Sequence, residues 1–421
     1  MINISKNPSK RQSYLTKQIR LRNKYETNSN VNNYSIIAYG FQNNLDTSED
    51  FYRMVSSMMI SAYQVKGQPL VVLDNGCGVG RFIYDMSEHY PNATFHGIDF
   101  SIAMVERANG MLCKGQKFEL RNDLLDMPFF IKGKHCKNVS VEKGDARKLD
   151  FPKNSFDYIN STNLIDRVPD ALEVILEMIR VLKPGGKIMI TSPLDFKGFP
   201  DAINYTFEQV KEMLEANGIN VEFVHEGFEY QEFGKPIKVW KTCLIYGTKK
   251  HGGGAGEKIS IIPIEDLNIQ SIADIYKTVF EYKPWNEKWT LDEVEQIIRE
   301  AKGFETFNGK GILINDKLVG FAYGFHLLEK EKFERILEFL PNINHNDLFY
   351  LSEFGIHPFY QNQRLGKKLM ESISKELPLL VVRTKNKHMV SVLESFYSKV
   401  VELTHDFIEP CEGRSWYLCY R

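Results

Sequence analysis

The chain lacks an excess of charge of either sign. Lys and Arg number 53 against 54 Asp and Glu in 421 residues, a net charge of −1, which excludes a global electrostatic pull toward nucleic acid or anionic lipid and leaves only local patches. No apolar run approaches the ~20 residues of a membrane-spanning helix, and the polar N-terminus has no apolar core of a secretory signal. A cytoplasmic protein without membrane association is the expectation. The six cysteines form no C-x-x-C pair, so neither a disulfide framework nor a metal site is expected. At 43% hydrophobic and 25% charged residues, disorder and a pure coiled coil are also excluded. The length exceeds the roughly 100–200 residues of one domain, which implies two.

The clearest break is the glycine cluster at 249–257, Lys-Lys-His-Gly-Gly-Gly-Ala-Gly-Glu, which holds neither helix nor strand well and reads as a linker between domains at 34–248 and 258–421. Residues 1–33 carry Lys6, Lys10, Arg11, Lys17, Arg20, Arg22 and Lys24 against Glu26. They read as a basic, flexible or partly helical arm, with contact to RNA as the alternative.

From residue 69 onward, short apolar runs alternate with helical segments, the pattern of parallel strands joined by helices. Strands are expected at 69–74, 94–98, 139–143, 156–161, 187–192, 221–225 and 239–246. Helices are expected at 81–89 and 171–182, after Ser101 as an N-cap, and at the Thr206-x-x-Gln209 capping box. The stretch 109–138 reads as a long connecting loop. Ligands of such sheets sit beyond the carboxyl ends of the strands, which gathers the Gly76-x-Gly78-x-Gly80 turn, Asp99 and Asp145 into one crevice. Glycine lets the backbone approach a ligand where a Cβ would clash, and an acidic residue closing the second strand suits a pair of ribose hydroxyls.

The run Val71-Val72-Leu73-Asp74-Asn75-Gly76-Cys77-Gly78-Val79-Gly80, followed by Gly97-Ile98-Asp99-Phe100-Ser101, Gly144-Asp145-Ala146, Phe156-Asp157 and Leu182-Lys183-Pro184-Gly185-Gly186, resembles the class I S-adenosylmethionine-dependent methyltransferases over about residues 35–248. The resemblance implies a Rossmann-like seven-stranded α/β sheet. It implies that Asp74, Gly76, Gly78 and Gly80 line the methionine and ribose side of the cofactor, and that Asp99 binds the ribose. Phe100 would pack on the adenine, Asp145 and Ala146 would meet its edge, and Ser161 and Asn163 would lie near the sulfonium. Acceptor-side candidates are Tyr34, Tyr39, Asn163, Asp166, Arg167 and Asp195. The segment Asn163–Asp170 is similar to the matching segment of 4-mercaptohistidine N-methyltransferases, which implies an imidazole or amino-acid acceptor.

After the linker, a strand at 259–263, helices at 271–282 and 291–301 with a Thr290-x-x-Glu293 capping box, strands at 311–314 and 318–326 and a charged helix at 329–340 are expected. Leu348 to Leu369 then runs from strand through turn into helix, leaving helix-start amides able to meet an anion. With Gln361 and Gly366 in the Q/R-x-x-G-x-G/A pattern, this stretch resembles the GNAT N-acetyltransferases, a mixed-sheet α/β fold, over about residues 258–421. Arg364 stands where that pattern has its middle glycine, and its guanidinium is suited to pairing with phosphate. The resemblance implies acetyl-CoA as cofactor, with Phe354, Ile356, Gln361, Arg364, Gly366 and Lys367 as its binding residues. Glu353 is the candidate base, Tyr397 the candidate acid, and Trp285 an acceptor-side residue.

The expected function is a bifunctional enzyme that methylates and acetylates a small amine-bearing metabolite, an amino acid or a peptide. Two alternatives stand beside it. In one, the second domain only binds acyl-CoA and regulates the first; in the other, the methyltransferase modifies RNA or the ribosome through the basic arm.

Overall fold

The computed structural model describes residues 25–43, 49–63, 69–121, 128–196, 203–232, 238–251, 258–281, 285, 287–329, 340, 343–403 and 415–420. The chain forms two compact units, Met1–Gly254 and Ala255–Arg421. Residues 252–257 of the glycine cluster and 330–339 of the expected charged helix lie outside the described residues.

In the first unit, β1 (Val71–Asn75), β2 (Thr94–Asp99), β5 (Val139–Lys143), β6 (Phe156–Thr162), β7 (Leu182–Ser192), β8 (Ile219–Glu232) and β9 (Lys238–Lys249) form one sheet in the order β5-β2-β1-β6-β7-β9-β8. The first five are parallel, and β9 runs antiparallel to both β7 and β8. The helices α1 (Asn28–Tyr39), α2 (Glu49–Ala62), α3 (Arg81–His89) and α4 (Ile102–Leu112) share a core with one sheet face, built from Val72, Phe82, Phe95, Met104, Tyr158 and Met189. Each fully buried side chain of this kind contributes on the order of 1.5–3 kcal/mol. Later in the chain come α5 (Ala171–Val181) and α6 (Phe207–Ala216).

The helix starts follow local chemistry. The Ser101 hydroxyl accepts from the Met104 N–H, the Asp170 carboxylate from the Leu172 N–H, and Thr206 with Gln209 forms a complete capping box, so that otherwise orphaned amides are satisfied. Lys183 of the Lys-Pro-Gly-Gly turn reaches both oxygens of Asp157 at 2.9 and 2.8 Å, and that carboxylate accepts from the Val71 N–H. The two motifs therefore lock neighbouring strands.

Three expectations shift. The stretch 109–138 carries a hairpin, β3 (Lys117–Leu120) with β4 (Phe129–Lys132): Leu120, Phe129 and Ile131 alternate inward into the core, and Gln42 and Asn43 hydrogen-bond the backbone of β4. Of the arm, residues 28–33 are helical, with Val31 buried while residues 26–29 stay exposed. The helix α1 is capped by Thr27 and crosses the expected boundary at 33; residues 1–24 lie outside the described region. The strand β8 is much longer than 221–225, because it continues past a bulge between His225 and Phe228 where Gly227 adopts a φ of 82°.

The second unit has strands β10 (Ile259–Pro263), β11 (Asn308–Ile314), β12 (Lys317–His326), β13 (Phe349–Ile356), β14 (Leu379–Thr384), β15 (Lys399–Leu403) and β16 (Ser415–Tyr420), ordered β10-β11-β12-β13-β14-β16-β15. Only β13 and β14 are parallel neighbours; the other pairings are antiparallel. The helices are α7 (Ile269–Glu281), α8 (Leu291–Lys302), α9 (Leu365–Ser374) and α10 (Lys387–Glu394). Among the described residues no helix is long and apolar enough to cross a membrane.

Candidate active sites

In the first unit the turn after β1 is strapped to the second strand, because the Gly76 and Cys77 N–H groups both donate to the Ile98 carbonyl at 2.8 and 3.0 Å. Its glycines serve different ends. Gly80, at φ 85°, starts α3, and a Cβ there would lie 2.6 Å from Leu112 Cδ1. Gly78, at φ 52°, has no heavy atom within 4 Å of where a Cβ would stand. Its open side is a cradle that a side chain would fill, which fits close approach by a ligand.

Asp99 closes β2 beside this cradle. One carboxylate oxygen accepts from the Gly78 N–H at 2.8 Å and the other from the Ser101 N–H at 2.9 Å. Burial raises its pKa against these donors. Phe100 follows, 44% exposed as a residue, and the Lys143 ammonium sits 5.8 Å from its ring centroid. The Asp145 carboxylate is engaged in two contacts with the Arg147 guanidinium at 3.0 and 2.7 Å, and Ala146 beside it is buried.

Asp74 is buried beneath the loop and accepts from Asn160 Nδ2 at 2.6 Å. Burial pushes its pKa from 3.8 to about 7, with Asp99 adding to the shift and the Asn160 bond opposing it. A cationic ligand overhead would favour its ionised form.

At the ends of β6 and β7 the remaining candidates gather. Asn163, at φ 53°, accepts from the hydroxyls of Thr191 and Thr242, each at 3.4 Å. Asp166 is wholly buried; its Oδ2 accepts from the Asp195 N–H at 3.3 Å and lies 3.4 Å from Arg167. The Arg167 guanidinium lies 5.6 Å from the Trp240 ring. Burial raises the Asp166 pKa, against the opposing pull of Arg167.

The two N-terminal candidates, Tyr39 and Tyr34, lie on the first helix. Tyr39 is fully buried and donates its hydroxyl to the Val79 carbonyl at 2.9 Å, bracing the glycine turn. Tyr34 packs against Tyr25, with ring centroids 5.9 Å apart.

Sequence reasoning missed four residues. Asn75 follows the expected strand and Asn160 looks like an ordinary strand residue, yet both are fully buried. Glu26, the one acid of the basic arm, accepts from the Ile102 and Ala103 N–H groups at the start of α4. Arg81 is 5% exposed, and its guanidinium bonds Asp85, Glu49 and the Ala38 carbonyl between the rings of Phe41 and Tyr52. Its position directly after Gly80 was the available signal.

In the second unit, β13 and β14 pair only from Phe349↔Leu380 to Leu351↔Val382. The register of β13 against β12 shifts at Ser352, between Tyr323↔Glu353 and Gly324↔Leu351. Such a bulge re-aims the strand next to a site. Glu353 lies across from Tyr323, whose pKa is raised by burial first and by Glu353 second. Phe354 is half-buried and Ile356 buried on the same strand. Gln361 Nε2 donates to the Ile356 carbonyl at 3.0 Å, tying the loop to the strand.

Arg364 adopts a φ of 62° at the start of α9, so it takes up the left-handed geometry its glycine counterpart would supply, at a cost of about 1–2 kcal/mol. Its side chain is exposed, as is that of Lys367, and around Gly366 the nearest atoms to a built Cβ lie 3.7 Å away on Ile356 and Phe354. Tyr397 is buried and donates its hydroxyl to the Leu377 carbonyl at 2.9 Å. Trp285 packs on Phe280, with the Lys385 ammonium 5.1 Å from its ring centroid.

Comparison with known proteins agrees with this division. Residues 67–237 match the family model described as a methyltransferase domain, and residues 269–390 match the acetyltransferase (GNAT) family. The chain is 34% identical over 201 residues to a demethylmenaquinone methyltransferase of Lactococcus lactis, covering 44% of this chain and 70% of that enzyme. It is 34% identical over 142 residues to the same-named enzyme of Listeria monocytogenes, covering 33% of this chain and 52% of that one, so it spans about half the length of the latter. Among solved structures, an S-adenosylmethionine-dependent methyltransferase from Aquifex aeolicus is 21% identical with a TM-score of 0.34, over 54% of this chain and 96% of that one. The two domains imply S-adenosylmethionine and acetyl-CoA as cofactors, and the chain belongs to the methyltransferase family, carrying a GNAT acetyltransferase domain behind its methyltransferase domain.

Proposed function

We propose that this enzyme transfers a methyl group from S-adenosylmethionine and an acetyl group from acetyl-CoA to a small amine-bearing metabolite, amino acid or peptide. The observation that carries this reading is the polar acceptor end of the first site: buried Asp166, the Arg167 guanidinium beside Trp240, and Asn163 held by Thr191 and Thr242. A carboxylate and a guanidinium side by side suit an acceptor carrying both an amine and an acidic group.

When bound, S-adenosylmethionine supplies an already activated methyl group, so the protein's task is alignment. The Gly78 cradle admits the donor closely, Asp99 orients it, and Asp74 supplies negative charge beneath a cation. In the second unit the diverging strands hold Glu353 where it can take a proton from an attacking amine. Joining the two units in one chain raises the local concentration of a once-modified product at the second site.

The test is a panel of amines, amino acids and short peptides incubated with each cofactor, read by S-adenosylhomocysteine and free CoA formation. One acceptor giving both products supports the reading; turnover only on a demethylated quinol, the acceptor type in the relatives' name, refutes it. A second reading, acyl-CoA binding without acetyl transfer, is favoured by the engagement of the Tyr397 hydroxyl with the Leu377 carbonyl. Tight acetyl-CoA binding with no CoA release on any acceptor selects it.

A further inference from the structure

Three fully buried polar side chains at the crevice end of the first sheet hold atoms with no hydrogen-bond partner: both amide atoms of Asn75, the Ser161 hydroxyl and Asp166 Oδ1. An unsatisfied buried polar atom costs about 1–3 kcal/mol, so several in one place point to partners that arrive with a ligand.

Their placement follows from register. Asp74 pairs with Asn160, so Asn75 and Ser161 are the next residues along β1 and β6, both on the face opposite Asp74 and Asn160. Ser161 pairs with Ile190, which puts Ser192 on that same face two residues further along β7. Asp166 accepts from the Asp195 N–H, and the Ser192 side chain acts to lower its pKa. A Cβ on Gly76 would meet Leu164 at 2.9 Å, so the turn carrying Asp166 lies against the end of β1. Asp166 Oδ2 takes the Asp195 N–H and faces Arg167, while Oδ1 has no hydrogen-bond partner.

We propose that Asp166, through Oδ1, takes up the proton of a nitrogen acceptor during methyl transfer, with Asn75 and Ser161 completing the hydrogen bonds of that acceptor. This rests on the amine reading above and names the proton acceptor within it. In the step, the nitrogen lone pair forms a bond to the methyl carbon as the carbon–sulfur bond breaks, its electron pair staying on sulfur. The N–H proton passes to Asp166 Oδ1 and afterwards to water. Burial suits the role, since the carboxyl's raised pKa makes it a better base than an exposed one. The charged neighbours are Arg167 on its own turn, which favours ionisation, and Asp195 from the segment after β7, which contributes its backbone N–H.

The test uses the full chain as wild type, Asp166→Asn, Asp166→Glu and Asn75→Leu, with glycine, ethanolamine, L-histidine and menadiol as acceptor probes. We expect Asp166→Asn to lower kcat on the nitrogen probes by about 10²- to 10⁴-fold, with S-adenosylmethionine Kd unchanged and Asp166→Glu partly restoring the rate. The wild-type rate should rise with pH through the Asp166 pKa and that rise should vanish in Asp166→Asn. Infrared difference spectra of the ligand-free protein should show several carboxyls titrating above the usual carboxylate range, Asp74 and Asp99 among them, and Asp166→Asn should remove one of these signals and leave the others. Asn75→Leu should raise KM for the acceptor. Unchanged kcat and pH profile in Asp166→Asn, with amines still methylated, overturns the proposal and leaves the amine reading standing. Turnover of menadiol alone, or of none of the probes, overturns both. If Asn75→Leu leaves KM for the acceptor unchanged, the role assigned to Asn75 is wrong.

Discussion

Replacing Arg81 with methionine isolates how much of the N-terminal packing depends on one buried charge. The guanidinium is 5% exposed and meets Glu49 and Asp85, whose side chains are 18% and 20% exposed, each at 2.8 Å. It also lies 4.4 Å from the Phe41 centroid and 4.8 Å from that of Tyr52. Burial alone would lower its pKa, but the two carboxylates prevail and raise it. Removing the cation strands two largely desolvated carboxylates, a loss of about 3–5 kcal/mol, and each lost ring contact adds about 0.5–1 kcal/mol. Methionine keeps much of the packing of the stem, so the expected destabilisation is about 4 kcal/mol. In a domain of this size each kcal/mol moves Tm by about 2–4 °C, giving a fall of about 8–16 °C. Calorimetry of the full chain should show the methyltransferase transition moving and the acetyltransferase transition staying. Adding Glu49→Gln and Asp85→Asn should recover part of the loss, since no charge is then stranded. A shift under about 2 °C, or no recovery in the triple variant, would refute the reasoning.

Three further outcomes follow from the same unit. Gly80→Ala sets a Cβ 2.6 Å from Leu112 Cδ1 at positive φ and should cost about 2–4 kcal/mol by denaturant unfolding; Gly78→Ala, with open space, should cost about 1–2 kcal/mol but lose S-adenosylmethionine affinity in calorimetric titration, and equal stability losses would contradict this. Asp99→Ala should weaken S-adenosylmethionine by about 10²-fold or more, as two charge-assisted hydrogen bonds are lost, while acetyl-CoA binding is unchanged; joint loss would argue against independent units. For Asp74, the folded pKa of about 7 lies above the ordinary 3.8, so its contribution to stability is full below the lower value and is lost as pH rises through the higher one. Because a bound sulfonium favours the ionised carboxylate, S-adenosylmethionine affinity should rise across that window, and Asp74→Asn should flatten both curves in thermal-shift titrations.

Much of the frame was legible in the linear pattern. Arg81–His89 and Ile259–Pro263 fall where periodicity placed them, and the Ser101, Thr206 and Thr290 caps form as expected, because caps and turns are decided by residues within a few positions of one another. The hairpin inside 109–138 was missed because Lys117–Leu120 and Phe129–Lys132 are four-residue strands, too short for alternation to stand out, and their inward side chains are stabilised by a core built from distant helices. The same holds for residues 25–33, whose basic, Asn-rich neighbourhood reads as an arm until Glu26 finds the start of α4 and Val31 the core.

By itself the sequence determined the two cofactor-type loops, since glycine at a tight turn and an acid at a strand end are local necessities. Only the tertiary structure decided which polar groups face one another. It drew Arg81 inward onto Glu49, set the Tyr39 hydroxyl on the glycine turn, and left Asp166 Oδ1 without a partner. Burial and pairing depend on chain segments dozens of residues apart, and no local pattern encodes which of them will meet.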